Sequence, residues 1–211
     1  MNINRKRRLR LTHDFSQSLF EIGAIKTGQF TLKSGQNSPV YIDLRNLVSM
    51  PELLDKITDE TIRVIGNLEF DCICGVPYTA IPIATLLSYK LKKPLILKRK
   101  EMKTHGTRRI VEGIFKEGDK CLVIEDIVTS GLSILETIKS LEEVKLQVSD
   151  TVCLIDREQG GKAHLLKNGY HLHSVTTLVK VLDQLEYSDR INHETVSNIK
   201  NFLRKNPYQE T

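Results

Sequence analysis

The run Cys121-Leu122-Val123-Ile124-Glu125-Asp126-Ile127-Val128-Thr129-Ser130-Gly131-Leu132-Ser133 restricts this chain more than any other stretch. An apolar segment leads straight into two carboxylates and then into a Thr-Ser-Gly turn. Cys121 to Ile124 is too short and too uniformly apolar for a surface strand, so it reads as a buried strand of a parallel sheet. Ile134, Leu135, Ile138 and Leu141 then recur at helical spacing, which predicts a helix from about Ser133.

Ligands of open α/β sheets gather where a buried parallel strand meets the following helix, at the carboxyl edge. The spacing puts Glu125 and Asp126 at the strand's end and wraps Thr129 to Ser133 around the helix N-terminus. Unpaired N–H groups and the positive end of the helix dipole favour a phosphate there. Acids beside a phosphate seat suit a sugar phosphate: the carboxylates accept from ribose hydroxyls while the loop holds the 5′-phosphate. The alternative on these residues alone is an ordinary strand with an Asp/Thr helix cap and nothing bound.

A chain of 211 residues fits one α/β domain, or one domain with a small appended element. With 40% apolar and 27% charged residues it is neither disordered nor fibrous. No apolar run reaches the ~18 residues of a membrane span, and the charged N-terminus leads into no signal-peptide core, so the expected location is cytoplasmic. Cys72, Cys74, Cys121 and Cys153 fall in or beside expected buried strands, and Cys-x-Cys lacks a second pair at zinc spacing. They read as reduced core cysteines.

The net charge of +5 is compatible with nucleic acid, an anionic surface or a polyanionic small substrate. One basic cluster is Arg5-Lys6-Arg7-Arg8-Leu9-Arg10, which reads as a solvated tail, with nuclear localisation or RNA contact as the other reading. The other comprises Lys98, Arg99, Lys100, Lys103, Arg108 and Arg109 with one acid, Glu101, in a segment with Gly106 and no periodicity. A mobile cationic loop can close over a departing pyrophosphate and neutralise the charge that grows as the bond breaks. A plain surface loop is the alternative.

Along the chain, a helix is expected from Asp14 to Gly23, then strand-like pieces over Ala24–Gly35 broken by two glycines. Val40, Ile42 and Leu44 alternate with Tyr41, Asp43 and Arg45 as in a half-buried strand, with Pro39 favouring an edge. Pro51 opens a helix running to about Gly66. Strands follow at Phe70–Cys74, Pro94–Leu97, Ile110–Ile114 and Asp150–Ile155, with a helix over Ile81–Tyr89. Helix 162–168, strand 170–175 and helices near 176–186 and 192–204 complete the chain. Such alternation predicts an α/β fold, a mostly parallel sheet with helices on both faces. Gly75-Val76-Pro77-Tyr78-Thr79, joining a strand to a helix, suits a pyrophosphate or is mere punctuation. In the turn Asp156-Arg157-Glu158-Gln159-Gly160-Gly161, the Arg157 fork can bind a carboxylate bidentately or pair with Asp156 or Glu158.

The stretches Thr31-Leu32-Lys33-Ser34-Gly35, Ser38-Pro39, Tyr41-Ile42-Asp43 and Gly75-Val76-Pro77-Tyr78 are followed by Arg99-Lys100-Glu101-x-Lys103-x-His105-Gly106, the Glu125–Ser133 run and Asp156-Arg157. In this order they resemble the orotate phosphoribosyltransferases of the type I phosphoribosyltransferase family, over roughly residues 14–185. The Val-Pro-Tyr-Thr and Asp-Arg-Glu-Gln-Gly-Gly turns look most like the corresponding domain of animal bifunctional uridine monophosphate synthase.

The resemblance implies transfer of a phosphoribosyl group from phosphoribosyl pyrophosphate to orotate, in pyrimidine biosynthesis. It implies that Lys26 reaches the ring and ribose, that Tyr41 and Ile42 lie against orotate, and that Tyr78 and Thr79 frame the pyrophosphate. Arg99, Lys100, Lys103 and His105 become the catalytic loop, shared across a homodimer through residues 98–109, with Lys100, Lys103, His105 and Asp126 as catalytic groups. Glu125 and Asp126 hold ribose hydroxyls. Ile127, Val128, Thr129, Ser130, Gly131, Leu132 and Ser133 hold the 5′-phosphate, Thr129 also approaching orotate, and Arg157 grips orotate's carboxylate. Mg²⁺ is expected through substrate oxygens near Glu125 and Asp126, with no direct protein ligand.

Relatives often carry Asp where Glu125 stands, and a smaller residue than Leu132. The expected division is a basic tail (1–13), one domain (14–205) and a short tail (206–211). Within the domain, 14–48 form a hood, 50–185 the core and 190–205 a C-terminal helix. Fusion to an orotidylate decarboxylase domain is one arrangement of such chains. Two other functions fit parts of the pattern: a regulatory protein that keeps the nucleotide pocket as a sensor and binds RNA or DNA, and a transferase for a purine or uracil. No Walker motif, zinc finger or helix-turn-helix is present, so an ATPase is disfavoured and nucleic acid is not the expected partner.

Overall fold

The computed structural model describes residues 15–31, 37–100 and 110–208. A helix, α1, covers residues 15–21 and ends at Gly23 with φ 69°. Strands β1 (Ile25–Thr31) and β2 (Asn37–Ile42) then pair antiparallel as a separate two-stranded sheet. The glycine at 28 does not break β1. At φ 144° it accommodates a bulge between Thr27 and Phe30, and the strand continues. The alternating run is also shorter than its pattern suggests. β2 stops at Ile42 because Asp43 accepts the Arg45 N–H at 3.0 Å and turns the chain into a 3₁₀ segment, Arg45–Ser49.

Helix α2 (Pro51–Ile65) has proline in its first turn and Gly66 at its end with φ 52°. Leu53, Leu54, Ile57 and Ile65 face inward. Thr58 and Thr61 are buried on the same helix because each hydroxyl donates to the carbonyl four residues earlier.

Six strands form the main sheet in the order β5-β4-β3-β6-β7-β8. They are β3 (Cys72–Gly75), β4 (Leu95–Lys98), β5 (Val111–Glu112), β6 (Cys121–Val128), β7 (Asp150–Asp156) and β8 (His171–Thr177). All adjacent pairs are parallel except β4 with β5. Helices α3 (Ala80–Leu91), α4 (Leu132–Glu142), α5 (Gly161–Lys167), α6 (Leu178–Tyr187) and α7 (His193–Lys205) connect and complete the core. Ile73, Ile96, Leu122, Ile124, Val152 and Leu154 are essentially inaccessible, each burial contributing about 1.5–3 kcal/mol. The four cysteines are free and buried among them.

Two expectations are corrected at the sheet. The Ile110–Ile114 run yields only two strand residues, because Gly113 takes φ 132° and turns Ile114 out to 91% exposure. And β6 does not end before the acids; it runs through Glu125 and Asp126 to Val128. Its neighbour β7 ends level with it, pairing Val128 with Asp156, whereas β3 stops opposite Ile124 at Gly75.

The chain leaves β3 toward β4 and returns to add β6 on β3's other side. This reversal puts the switch point, where open sheets of this kind bind ligands, between the carboxyl ends of β3 and β6.

Candidate active site at the carboxyl edge of the sheet

Because β3 stops at Gly75, the last half of β6 is bordered by a strand on one side only. The two amides after Glu125 are taken up by the acids themselves: Asp126 N–H donates to Glu125 Oε1 at 3.0 Å, and Ile127 N–H to Asp126 Oδ1 at 2.8 Å. Glu125 is 6% exposed, while Asp126 is only partly covered. Burial, and then the neighbouring Asp126, hold the Glu125 carboxyl well above the usual carboxylate range. Burial likewise raises Asp156 at the end of β7, against the opposing hydrogen bond from the Glu158 N–H. Glu125 stands in register with Cys153 on β7 and Asp156 with Val128 on β6, so the three acids lie along the same edge, and after burial all three push up the Cys153 thiol.

Beyond Val128 the chain turns through Thr129 and Ser130 into α4, whose N-cap is Gly131 at φ 81°. Gly131 has no side chain to cap this helix, and the Ser130 hydroxyl takes only the Leu132 N–H, at 3.3 Å. α3, behind Thr79, and α5, behind Gly160, likewise lack a bond from the N-cap side chain. By contrast α6 and α7 are capped, Thr177 accepting from the Lys180 N–H and Asn192 from the Thr195 N–H. The helices starting after β6 and β7 therefore leave first-turn N–H groups for another acceptor, whereas in α3 Ile81 N–H donates to the Tyr78 carbonyl at 3.2 Å and Pro82 has no N–H. Leu132 is 48% exposed, so its bulk lies outside the loop's backbone curve.

The neighbouring loops are tied to β6 by backbone bonds. Val76 N–H donates to Ile124 C=O, and Arg157 N–H to Val128 C=O, both at 2.9 Å. Gly75 is needed because a Cβ there would sit 2.9 Å from the Ala80 carbonyl oxygen. The following turn contains a cis Pro77–Tyr78 peptide and presents Tyr78 with 67% exposure. Lys100 Nζ stands 5.7 Å from the centre of that ring, within cation–π reach. The start of the basic segment thus meets the candidate pyrophosphate turn. Arg99 is engaged elsewhere, its Nε donating to Glu112 Oε1 across the β4–β5 pair at 2.8 Å.

Arg157 sits in the opposite wall. Its side chain is largely buried, its Nε has no hydrogen-bond partner, and desolvation lowers its pKa. The two acids beside it do not pair with it: Asp156 Oδ1 accepts the Glu158 N–H, and Glu158 Oε2 accepts the Val179 N–H. A buried donor without an acceptor is costly and calls for an anion.

Glu125, Asp126, Thr129–Ser133, Tyr78, Thr79, Lys100 and Arg157 are therefore gathered at one sheet edge. Lys26, Tyr41 and Ile42 sit on the separate β1–β2 hairpin. There Lys26 pairs in register with Tyr41, and the Tyr41 ring meets Phe30 at 5.6 Å. Lys103 and His105, the Arg5–Arg10 run and residues 32–36 lie outside the described residues. Sequence reasoning passed over the first turn of α5, which packs behind the phosphate loop. A Cβ at Gly161 would fall 2.6 Å from Val128 Cγ1 and 2.7 Å from the Thr129 carbonyl oxygen, and His164 Nδ1 lies 2.8 Å from the Ser130 carbonyl oxygen. The Gly160-Gly161 pair was the available sign.

No group of three or more His, Cys, Asp and Glu side chains able to hold a metal occurs among the described residues. No helix among them is long and apolar enough to cross a membrane.

The phosphoribosyl transferase domain model matches residues 44–185. The chain is 46% identical to the uridine 5′-monophosphate synthase of Bos taurus over 192 residues, covering 90% of this chain and 40% of the bovine one. It is 40% identical to the orotate phosphoribosyltransferase of Caenorhabditis elegans, covering 88% of this chain and 85% of the nematode protein. The solved structure of Leishmania donovani UMP synthase superposes with a TM-score of 0.85 at 35% identity, covering 92% of this chain and 42% of that one. The chain thus spans less than half the length of its bifunctional relatives and most of a monofunctional one.

Proposed function

Because the chain belongs to the orotate phosphoribosyltransferase family and has the type I phosphoribosyltransferase fold, we propose that it transfers the 5-phosphoribosyl group of phosphoribosyl pyrophosphate to orotate, forming orotidine 5′-monophosphate and pyrophosphate. The carrying observation is the buried Arg157 guanidinium with its unpartnered Nε at the edge that also holds the uncapped helix ends. Orotate supplies a carboxylate to a planar fork that uracil and the purines leave unpaired.

In this reading the N–H groups of the Thr129–Ser133 loop hold the 5′-phosphate, and the Tyr78–Thr79 turn receives the pyrophosphate. Asp126, the more accessible acid, accepts from the ribose hydroxyls, with Glu125 orienting it from behind. A ring nitrogen of orotate attacks the anomeric carbon as the C–O bond to pyrophosphate breaks, with inversion through an oxocarbenium-like ribose. Lys100, Lys103 and His105 meet the leaving group's growing charge. Mg²⁺ fits this donor set, since it commonly takes one or two carboxylates and completes its shell from phosphates and water. When bound, mainly through substrate oxygens, it would neutralise pyrophosphate charge, with Asp126 the accessible carboxylate of this edge.

The working unit in this proposal is a cytosolic homodimer in which residues 98–109 of one subunit serve the other's site. Mixing a Lys103→Ala chain with an Asp126→Asn chain tests it. A shared site regains activity in the mixed dimer, and a self-contained site does not. For the reaction itself, orotate-dependent pyrophosphate release with Mg²⁺ is the assay, with uracil and hypoxanthine as competitors. Turnover with either competitor but not orotate refutes the specificity. Absence of turnover together with tight, salt-sensitive RNA binding refutes the enzyme in favour of a sensor.

A further inference from the structure

The phosphate loop is braced from behind by residues that make no use of the substrate. His164, on α5, approaches the Ser130 carbonyl oxygen at 2.8 Å through Nδ1. A carbonyl only accepts, so Nδ1 carries the proton. The His164 ring in turn meets Tyr208, centroids 5.1 Å apart and planes inclined by 34°. Tyr208 is held by its own backbone, its N–H donating to the Gln159 carbonyl at 2.6 Å, while Gln159 Nε2 donates to the Asn206 carbonyl at 2.7 Å. The segment 206–208 is thereby clamped to the turn that begins α5, and α5 is pressed against the loop at Gly161 and Gly131.

The direction of the Ser130 carbonyl decides where the next N–H points. In a trans peptide the C=O and N–H are antiparallel. With the Ser130 carbonyl drawn toward α5, the Gly131 N–H points away from α5, to the loop's open side. Freed from His164, this peptide would rotate more readily, since Gly131 has no side chain to restrain it.

We propose that His164, held in place by Tyr208, is a positioning residue for the 5′-phosphate seat, so that the chain's C-terminal segment sets the affinity for phosphoribosyl substrates. This rests on the phosphoribosyl reading of the loop but not on the identity of the base. The reporter is therefore ribose 5-phosphate binding by calorimetry, beside the KM for each substrate. His164→Leu removes the donor and should weaken ribose 5-phosphate and raise the KM for phosphoribosyl pyrophosphate by roughly three- to ten-fold, the worth of one ordinary hydrogen bond. The KM for orotate should stay unchanged. His164→Asn, whose amide nitrogen can replace Nδ1, should recover most of the loss. Tyr208→Ala should reproduce the defect and Tyr208→Phe should not.

Equal loss of affinity for both substrates, or failure of Asn to outperform Leu, would reduce the contact to general packing and overturn the proposal. Normal ribose 5-phosphate binding in His164→Leu would overturn it as well. If wild-type protein binds ribose 5-phosphate but does not turn over orotate, the base assignment fails while the brace is still decided by the variants. Wild-type protein without affinity for ribose 5-phosphate refutes the loop reading and the brace together.

Discussion

Arg157 should be a residue whose removal makes the free protein more stable and the enzyme worse. Its guanidinium is largely buried with Nε unpartnered, and an unsatisfied buried donor costs about 1–3 kcal/mol. Arg157→Met keeps much of the stem's volume and deletes the donor. The variant should gain part of that cost, on the order of 1–2 kcal/mol, which for a chain of this size raises Tm by about 2–8 °C. In the complex the balance reverses. Hydrogen bonds to a charged partner are worth about 1.5–3 kcal/mol, so losing the fork's grip on orotate should lower kcat/KM by roughly 10- to 150-fold. Arg157→Lys retains the charge without the bidentate geometry and should recover only part of the activity. Thermal unfolding without ligand and steady-state kinetics with orotate varied separate the two effects. Saturating orotate should raise the wild-type Tm and leave that of Arg157→Met nearly unmoved. A methionine variant that is less stable than wild type and has an unchanged KM for orotate would mean that Arg157 is structural, and the specificity argument would fail.

Glu125→Gln tests the buried acid. Because the folded carboxyl titrates above its ordinary value of 4.5, its stabilising contribution is full below that value and is lost as pH rises through the raised one. The glutamine variant should therefore melt higher than wild type at alkaline pH, and the difference should shrink toward pH 4.5, as followed by Tm against pH. Gly75→Ala places a Cβ 2.9 Å from the Ala80 carbonyl oxygen and 3.0 Å from Ala84 Cβ, so α3 must move. A loss of about 1–3 kcal/mol in denaturant unfolding is expected. Lys103→Ala should lower kcat by on the order of 10²–10³ if the lysine donates to the leaving group in the transition state. Normal turnover in that variant would exclude the role.

The parallel core was legible because each buried strand is an uninterrupted apolar run followed by a turn and a helical period, a pattern that few other folds tolerate. What the pattern could not set was where strands stop. The reach of β6 past Glu125 depends on β7 being long enough to pair with it and β3 being short, a property of three segments together. Nor could hydrophobicity distinguish Ile114, which faces solvent, from the inward residues of a true strand; the positive φ of Gly113 decides that. The Arg99–Glu112 and His164–Ser130 contacts were invisible for the same reason, since each joins residues brought together only by the finished sheet.

The residues at the helix starts carry a further signal of the site. Thr177 and Asn192 stand at helix starts and cap them, whereas Gly131 and Gly160 stand at helix starts and cannot. A glycine where a capping side chain is ordinarily preferred leaves N–H groups unsatisfied, and a sequence retains that cost comfortably when a ligand supplies the acceptor. Applied to the whole chain, the rule selects the starts of α4 and α5, both at the edge where the acids and Arg157 lie. It fails at α3, where Thr79 has the right side chain and does not cap. That failure has a physical content: Thr79 follows Tyr78 in the turn nearest Lys100, and its backbone is already helical (φ −66°, ψ −31°) where a capping residue is extended. Its hydroxyl is thereby withheld from α3's own amides, of which Ile81 N–H already donates to the Tyr78 carbonyl at 3.2 Å, and is left to whatever anion the turn receives.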